Sequence, residues 1–114
     1  MRRVSLAVCL SVAFFVCGSN IIMNDVSGPV AACDSFSYAA CNRLSQCQSG
    51  VNVSSCTQLL TAAVMCTSAS CGTDTYSPTG AQTCLDAYNN QDCADAVANV
   101  TPPECAITNY CLAP

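Results

Sequence analysis

The chain of 114 residues contains no histidine, no lysine and no tryptophan. Without histidine, Ser-His-Asp and Cys-His catalysis have no general base, and imidazole ligation of a metal or haem is excluded. Without lysine, Ser-Lys pairs and Schiff-base chemistry are excluded as well. Positive charge is scarce: of three arginines, Arg2 and Arg3 stand at the extreme N-terminus. Beyond residue 18 the single cation Arg43 faces seven carboxylates, a balance of −6 with the termini left out. Phosphate neutralisation takes Lys and Arg, so nucleic-acid binding is excluded, as is attachment to an anionic membrane through a basic surface. The acidic balance serves solubility.

Large apolar side chains are also few. From Cys33 onward, Val, Leu, Ile, Phe and Met supply 13 of 82 residues, the rest being largely Ala, Ser, Thr, Asn and Gln. Small side chains bury little area each, at roughly 25 cal/mol per Å², and small domains bury a modest fraction of their surface. Such a core is too thin to hold a domain by itself.

What the sequence has in quantity is cysteine. Ten of its twelve cysteines lie in those 82 residues: Cys33, Cys41, Cys47, Cys56, Cys66, Cys71, Cys84, Cys93, Cys105 and Cys111. That density, about 12%, exceeds the 8–10% that marks a disulfide scaffold. No Cys-x-x-Cys pair occurs, so structural zinc and thioredoxin-type redox chemistry have no motif. All ten are read as disulfide partners. Each bridge contributes about 2–4 kcal/mol, against a typical domain stability of about 5–15 kcal/mol. Five bridges among ten cysteines allow roughly nine hundred pairings, and spacing does not choose among them. Cys47 and Cys56, and likewise Cys84 and Cys93, span a turn with eight residues between them. That spacing suits two similar hairpins, each closed near its turn.

The N-terminus reads as an export signal. Arg2 and Arg3 precede an apolar run from Val4 to Val16, too short for a membrane span and suited to a signal-peptide core. Residues 1–18 form the expected signal peptide, with cleavage near 16–19. The rival reading is a lipoprotein signal, in which Phe14-Phe15-Val16-Cys17 stands where a lipobox would be and Cys17 carries the lipid. Phe14 and Val16 depart from the usual Leu and Gly or Ala. A lipid on Cys17 is the one route to membrane attachment. Residues 19–32, with Ser27, Gly28 and Pro29 and no cysteine, read as a flexible tether, and residues 33–114 as the disulfide-rich domain.

Helical periodicity runs through that domain. Cys33, Phe36, Ala40, Leu44 and Cys47 share a face over 33–47, with Ser35 opposite. Residues 54–67 follow, with Ser54 as N-cap and Cys56, Leu59, Leu60, Ala63 and Cys66 on one face. Ser77 caps a third helix with Pro78 at its first position. A short fourth aligns Cys93, Ala96, Val97 and Val100, and Pro102-Pro103 stops it. The fold class is therefore all-α, a small disulfide-stapled bundle of about four short helices.

The stretch Tyr76-Ser77-Pro78-Thr79-Gly80-Ala81-Gln82-Thr83-Cys84-Leu85-Asp86-Ala87-Tyr88, with Cys93-Ala94-Asp95, Pro103-Glu104-Cys105 and the opening Cys33…Ala40-Cys41-Asn42-Arg43-Leu44…Cys47, resembles cysteine-rich secreted proteins and lipoproteins of myxobacteria and related bacteria. The resemblance implies export, disulfides and helices, and carries over no catalytic residue. Met65-Cys66 with Cys71, and Pro102-Pro103-Glu104-Cys105, are more distantly similar to elicitins, small helical sterol carriers. Asn52-Val53-Ser54 and Asn99-Val100-Thr101 are formal N-glycosylation sequons.

Carboxylates are the remaining reactive groups. Asp92 and Asp95 share a predicted helical face near Asp86, the minimum for paired-carboxylate hydrolysis or calcium binding. The plainer reading puts Asp92 in a first helical turn, favoured by the macrodipole, and Asp95 in solvent. Arg43 reads as a surface salt-bridge partner. Tyr38, Tyr76, Tyr88 and Tyr110 are candidates to line a sugar or lipid site, or else ordinary half-buried tyrosines with Tyr88 in the core. The expectation is an exported, non-enzymatic, secreted or cell-envelope protein, binding or structural, with no cofactor, metal or catalytic residue and its partner unknown. The alternatives are a carrier for a small apolar ligand such as a lipid or sterol, or a secreted effector or inhibitor acting on a foreign protein.

Overall fold

Pro29 opens the longest helix among the described residues, 24–114, of the computed structural model. Helix α1 (Pro29–Cys47) thus begins at Pro29 rather than Cys33, because proline's fixed φ and missing N–H suit a first helical position. The described part of the expected tether is accordingly no free linker. The Asp25 carbonyl accepts a hydrogen bond from the Ser35 hydroxyl at 2.8 Å, and the Val26 carbonyl accepts one from the Tyr76 hydroxyl at 2.6 Å. Ser35 is 1% exposed, and a buried hydroxyl requires a partner. The backbone ahead of α1 supplies it, correcting the solvent position expected for this serine. The signal peptide, Cys17 and residues 19–23 lie outside the described residues.

Three shorter helices follow: α2 (Val53–Ala63), α3 (Pro78–Asn89) and α4 (Cys93–Val97). Single 3₁₀ turns span Cys66–Ser68, Pro103–Cys105 and Ile107–Asn109. Strands β1 (Thr75–Tyr76) and β2 (Cys111–Leu112) pair antiparallel, with Thr75 opposite Leu112 and Tyr76 opposite Cys111. The fold is a small disulfide-stapled helical bundle, as the periodicity implied.

The central element is α1, which packs against α2, α3 and α4. At about 100° per residue, Ala32, Ser35 and Ala39 fall on one side and Ser37 and Cys41 on the opposite one, and all five are buried. The stripe expected to face the core, Cys33, Phe36, Ala40, Leu44 and Cys47, lies between those sides and is only half-buried. A helix contacted on two sides buries small residues on both, a pattern that a search for one apolar stripe overlooks.

The buried apolar set is Ala32, Ala39, Ala81 and Leu85 with the half-cystines Cys41, Cys66, Cys84, Cys105 and Cys111. Sulfur therefore fills positions that large aliphatic side chains usually hold. All ten domain cysteines are paired. Cys41–Cys56 is nested within Cys33–Cys66 and joins α1 to α2. Cys47–Cys93 ties the end of α1 to the start of α4. Cys84–Cys105 holds α3 to a 3₁₀ turn, and Cys71–Cys111 pins the C-terminal strand to the loop before β1. The like-spaced hairpins Cys47–Cys56 and Cys84–Cys93 do not form. Cys47 lies six positions after Cys41, about 240° of helical rotation, so the two face different neighbours: α2 takes Cys41, and α4 takes Cys47.

Three further helix ends differ from expectation. Asn52, not Ser54, caps α2, its side chain accepting from the Ser55 N–H at 2.9 Å. The same helix stops at Ala63, after which Met65 adopts a left-handed conformation (φ 58°) and the turn lets Cys66 reach Cys33. Leu59, expected on the inner face, is 73% exposed because α2 lies at the edge of the bundle. Helix α4 stops at Val97, and Asn99 turns at φ 59°, which leaves Val97 and Val100 exposed. The cap at Ser77 forms as expected, accepting from the Gly80 N–H at 3.1 Å.

Candidate functional site

The N-terminal part of the half-buried stripe of α1, Cys33 and Phe36, forms part of one wall of a cavity of about 380 Å³, within the roughly 300–1,000 Å³ of ligand pockets. Pro29, Cys33, Phe36 and Ser37 come from α1, Leu60 and Val64 from α2 and the residue after it, and Tyr88 from α3. The tail closes the opposite side with Cys105, Ile107, Tyr110 and Cys111. Phe36 meets Tyr110 edge-on, ring centroids 5.4 Å apart, and lies 6.4 Å from Tyr88. Such aromatic pairs add about 0.5–1.5 kcal/mol beyond their burial.

Three of the five disulfides place a sulfur in this wall: Cys33 from its bridge to Cys66, Cys105 from its bridge to Cys84, and Cys111 from its bridge to Cys71. Empty apolar space costs stability, and an uncrosslinked chain can relax to close it. Here Cys33–Cys66 ties α1 to the turn after α2, and Cys84–Cys105 and Cys71–Cys111 tie the tail to α3 and to the loop before β1. Gly80 sets the approach of α3 to the tail, since a Cβ there would collide with the Asn109 backbone carbonyl. The Ser77 N–H donates to the Tyr110 carbonyl at 2.8 Å and seats the tail beside α3.

Among the described residues, no charged side chain lines the cavity. Its polar groups are hydroxyls, those of Ser37, Ser70, Tyr88, Thr101 and Tyr110. Ser37 is spent on the Cys33 carbonyl and Ser70 on the Gly72 N–H. Burial pushes the Tyr88 and Tyr110 phenols above the ordinary tyrosine value, and the Thr101 hydroxyl beside Tyr88 acts in the opposite sense. Of the four candidate tyrosines, the structure brings Tyr88 and Tyr110 together here. Tyr76 is committed to the Val26 carbonyl, and Tyr38 is not part of the lining.

The other sequence candidates lie apart. Asp86, Asp92 and Asp95 are all exposed, and Asp92 stands outside α4 as its N-cap residue, so the expected shared helical face is not built. Among the described residues no group of three or more His, Cys, Asp or Glu is placed to hold a metal ion. Arg43, expected in a surface salt bridge, donates instead to the Gln91 backbone carbonyl at 2.7 Å and the Gln46 side-chain carbonyl at 2.9 Å. The Cys47–Cys93 bridge brings that carbonyl to it.

Pro29, Val64, Thr101 and Ile107 carry no local sign of lining a cavity, because they are scattered from the first turn of α1 to the tail. The usable signal was aromatic: Phe36, Tyr88 and Tyr110 are three of the few rings in the domain. Comparison with protein-family models, with curated proteins and with solved structures finds no match for this chain. The density of disulfides in so small a domain is typical of exported proteins.

Proposed function

We propose that this chain is an exported, non-enzymatic binding protein, secreted or held at the cell envelope by a lipid on Cys17, whose cavity takes up a small apolar ligand. The observation that carries the reading is an apolar cavity of ligand size in a protein with so few large apolar side chains. Val64 and Ile107, on its rim, are 53% and 59% exposed, although closing over them would bury apolar surface at roughly 25 cal/mol per Å². The absence of histidine and lysine from the sequence supports a role without catalysis. The apolar N-terminal run and the ten paired cysteines support export.

Native mass spectrometry of protein purified after export tests the reading. The expected result is a population heavier than the polypeptide with its five bridges, which releases a small apolar molecule into organic solvent. The same spectrum reports the mature N-terminus and any lipid on Cys17. An apo mass together with no binding of the uncharged dye Nile red would refute the carrier role.

A further inference from the structure

The chemistry of the cavity wall restricts what it can hold. Carboxylates and the lone mature cation are absent from the lining, and Arg43 is engaged by Gln91 and Gln46 elsewhere. A second depression beside Asp34 and Met65 does carry a carboxylate, so the lack of charge belongs to this cavity in particular. An anionic head would find no counter-charge in a protein that is itself net negative, and a cationic head would find no acid. Moving an unpaired ion from water into such a site is strongly unfavourable. Neutral hydrogen-bonding capacity is present, however. The half-buried Tyr110 in the wall carries one hydroxyl, and Tyr88 with Thr101 presents two more.

Resting on the reading of this cavity as a ligand site, we infer that its ligand is an uncharged amphiphile, an apolar body bearing one neutral hydrogen-bonding head such as an alcohol or ketone, and that an ionised head is rejected. Phe36, Leu60, Val64 and Ile107 contact the body, and the Tyr110 hydroxyl meets the head. An acid of the same length enters only after protonation. With an ordinary carboxyl pKa of about 4–5, its apparent affinity at pH 8 then falls well below that of the matching alcohol.

The test is displacement of Nile red from the exported full chain by 1-dodecanol and by dodecanoate at pH 8. The expected result is that dodecanol displaces the dye at least about tenfold more effectively, and that dodecanoate gains on it as pH is lowered to 5. Equal displacement at pH 8 would overturn the neutral-head assignment while leaving the cavity reading intact. Failure of Nile red to bind at all would instead sink the cavity reading itself. Tyr110→Phe separates head from body: the loss of one hydrogen bond should weaken dodecanol about two- to tenfold and leave dodecane unchanged. Equal weakening of both would overturn the role of the hydroxyl.

Discussion

Removing the Cys71–Cys111 bridge is the most informative perturbation of this domain, because the bridge stabilises the fold and also holds one wall of the cavity. Its two cysteines are 40 residues apart in sequence. Loop-closure entropy for 40 residues corresponds to about 3.9 kcal/mol at 25 °C. The unfolded chain has a shorter covalent path, however, through Cys84–Cys105, which leaves a loop of about 19 residues and about 3.2 kcal/mol. The double substitution Cys71→Ala/Cys111→Ala should therefore cost about 3–4 kcal/mol whichever path dominates. With a urea slope near 1 kcal/mol/M for a small domain, the midpoint should fall by about 3 M. Beyond the retained Cys84–Cys105 bridge, the end of the tail would be held only by the two-residue pairing of β1 with β2, the Ser77–Tyr110 hydrogen bond and the seat of Asn109 on Gly80, too little to fix its position, so Tyr110 should leave the cavity and Nile red binding should be lost. Cys41→Ala/Cys56→Ala is the control. Its loop of 15 residues carries about 3 kcal/mol, but neither cysteine lines the cavity, so the midpoint should fall comparably with binding retained. A midpoint shift under about 0.5 M for the first variant, or equal loss of binding in both, would refute this account.

Three further outcomes are expected. Gly80→Ala drives a methyl into the Asn109 carbonyl; overpacking of this kind costs about 1–3 kcal/mol, and a Gly80→Ala urea midpoint equal to the parent's would show that the tail does not sit on α3. Asn52→Ala removes the α2 cap and should cost about 1 kcal/mol, whereas Ser54→Ala, at an exposed position with no capping bond, should be close to neutral; the reverse order in thermal unfolding would move the cap to Ser54. Burial raises the pKa of Tyr76, Tyr88 and Tyr110, with the Asp25 charge adding to the shift at Tyr76. Because the folded state holds these phenolic protons more tightly, their contribution to stability is complete below about pH 10 and is lost as pH rises through the raised values. Absorbance titration at 295 nm should place the native tyrosine midpoint above that of the denaturant-unfolded chain, and coincident curves would contradict the burial.

Much of the fold was legible because the cues were local. Ser77-Pro78 announces a helix start in two residues, and the helical spacing of α3 needs no knowledge of its neighbours. The errors arose where a neighbour decides. Ser35 looks like a solvent residue until the backbone at Asp25 is seen to fold back over it, and Leu59 looks like a core residue until α2 is found at the bundle edge. Asn52 and Ser54 are both competent caps, and the helix start selects between them.

The sequence by itself determined the means of stabilisation. Ten cysteines and a thin apolar inventory require a crosslinked domain, and those facts depend only on composition. Tertiary structure decided which cysteines pair, because pairing depends on the rotation of Cys41 and Cys47 about α1 and on which helix each one meets. It also decided that Phe36, Tyr88 and Tyr110 line a cavity beside the buried core. Segments far apart in sequence meet around that cavity, and no local pattern of residues encodes the space between them.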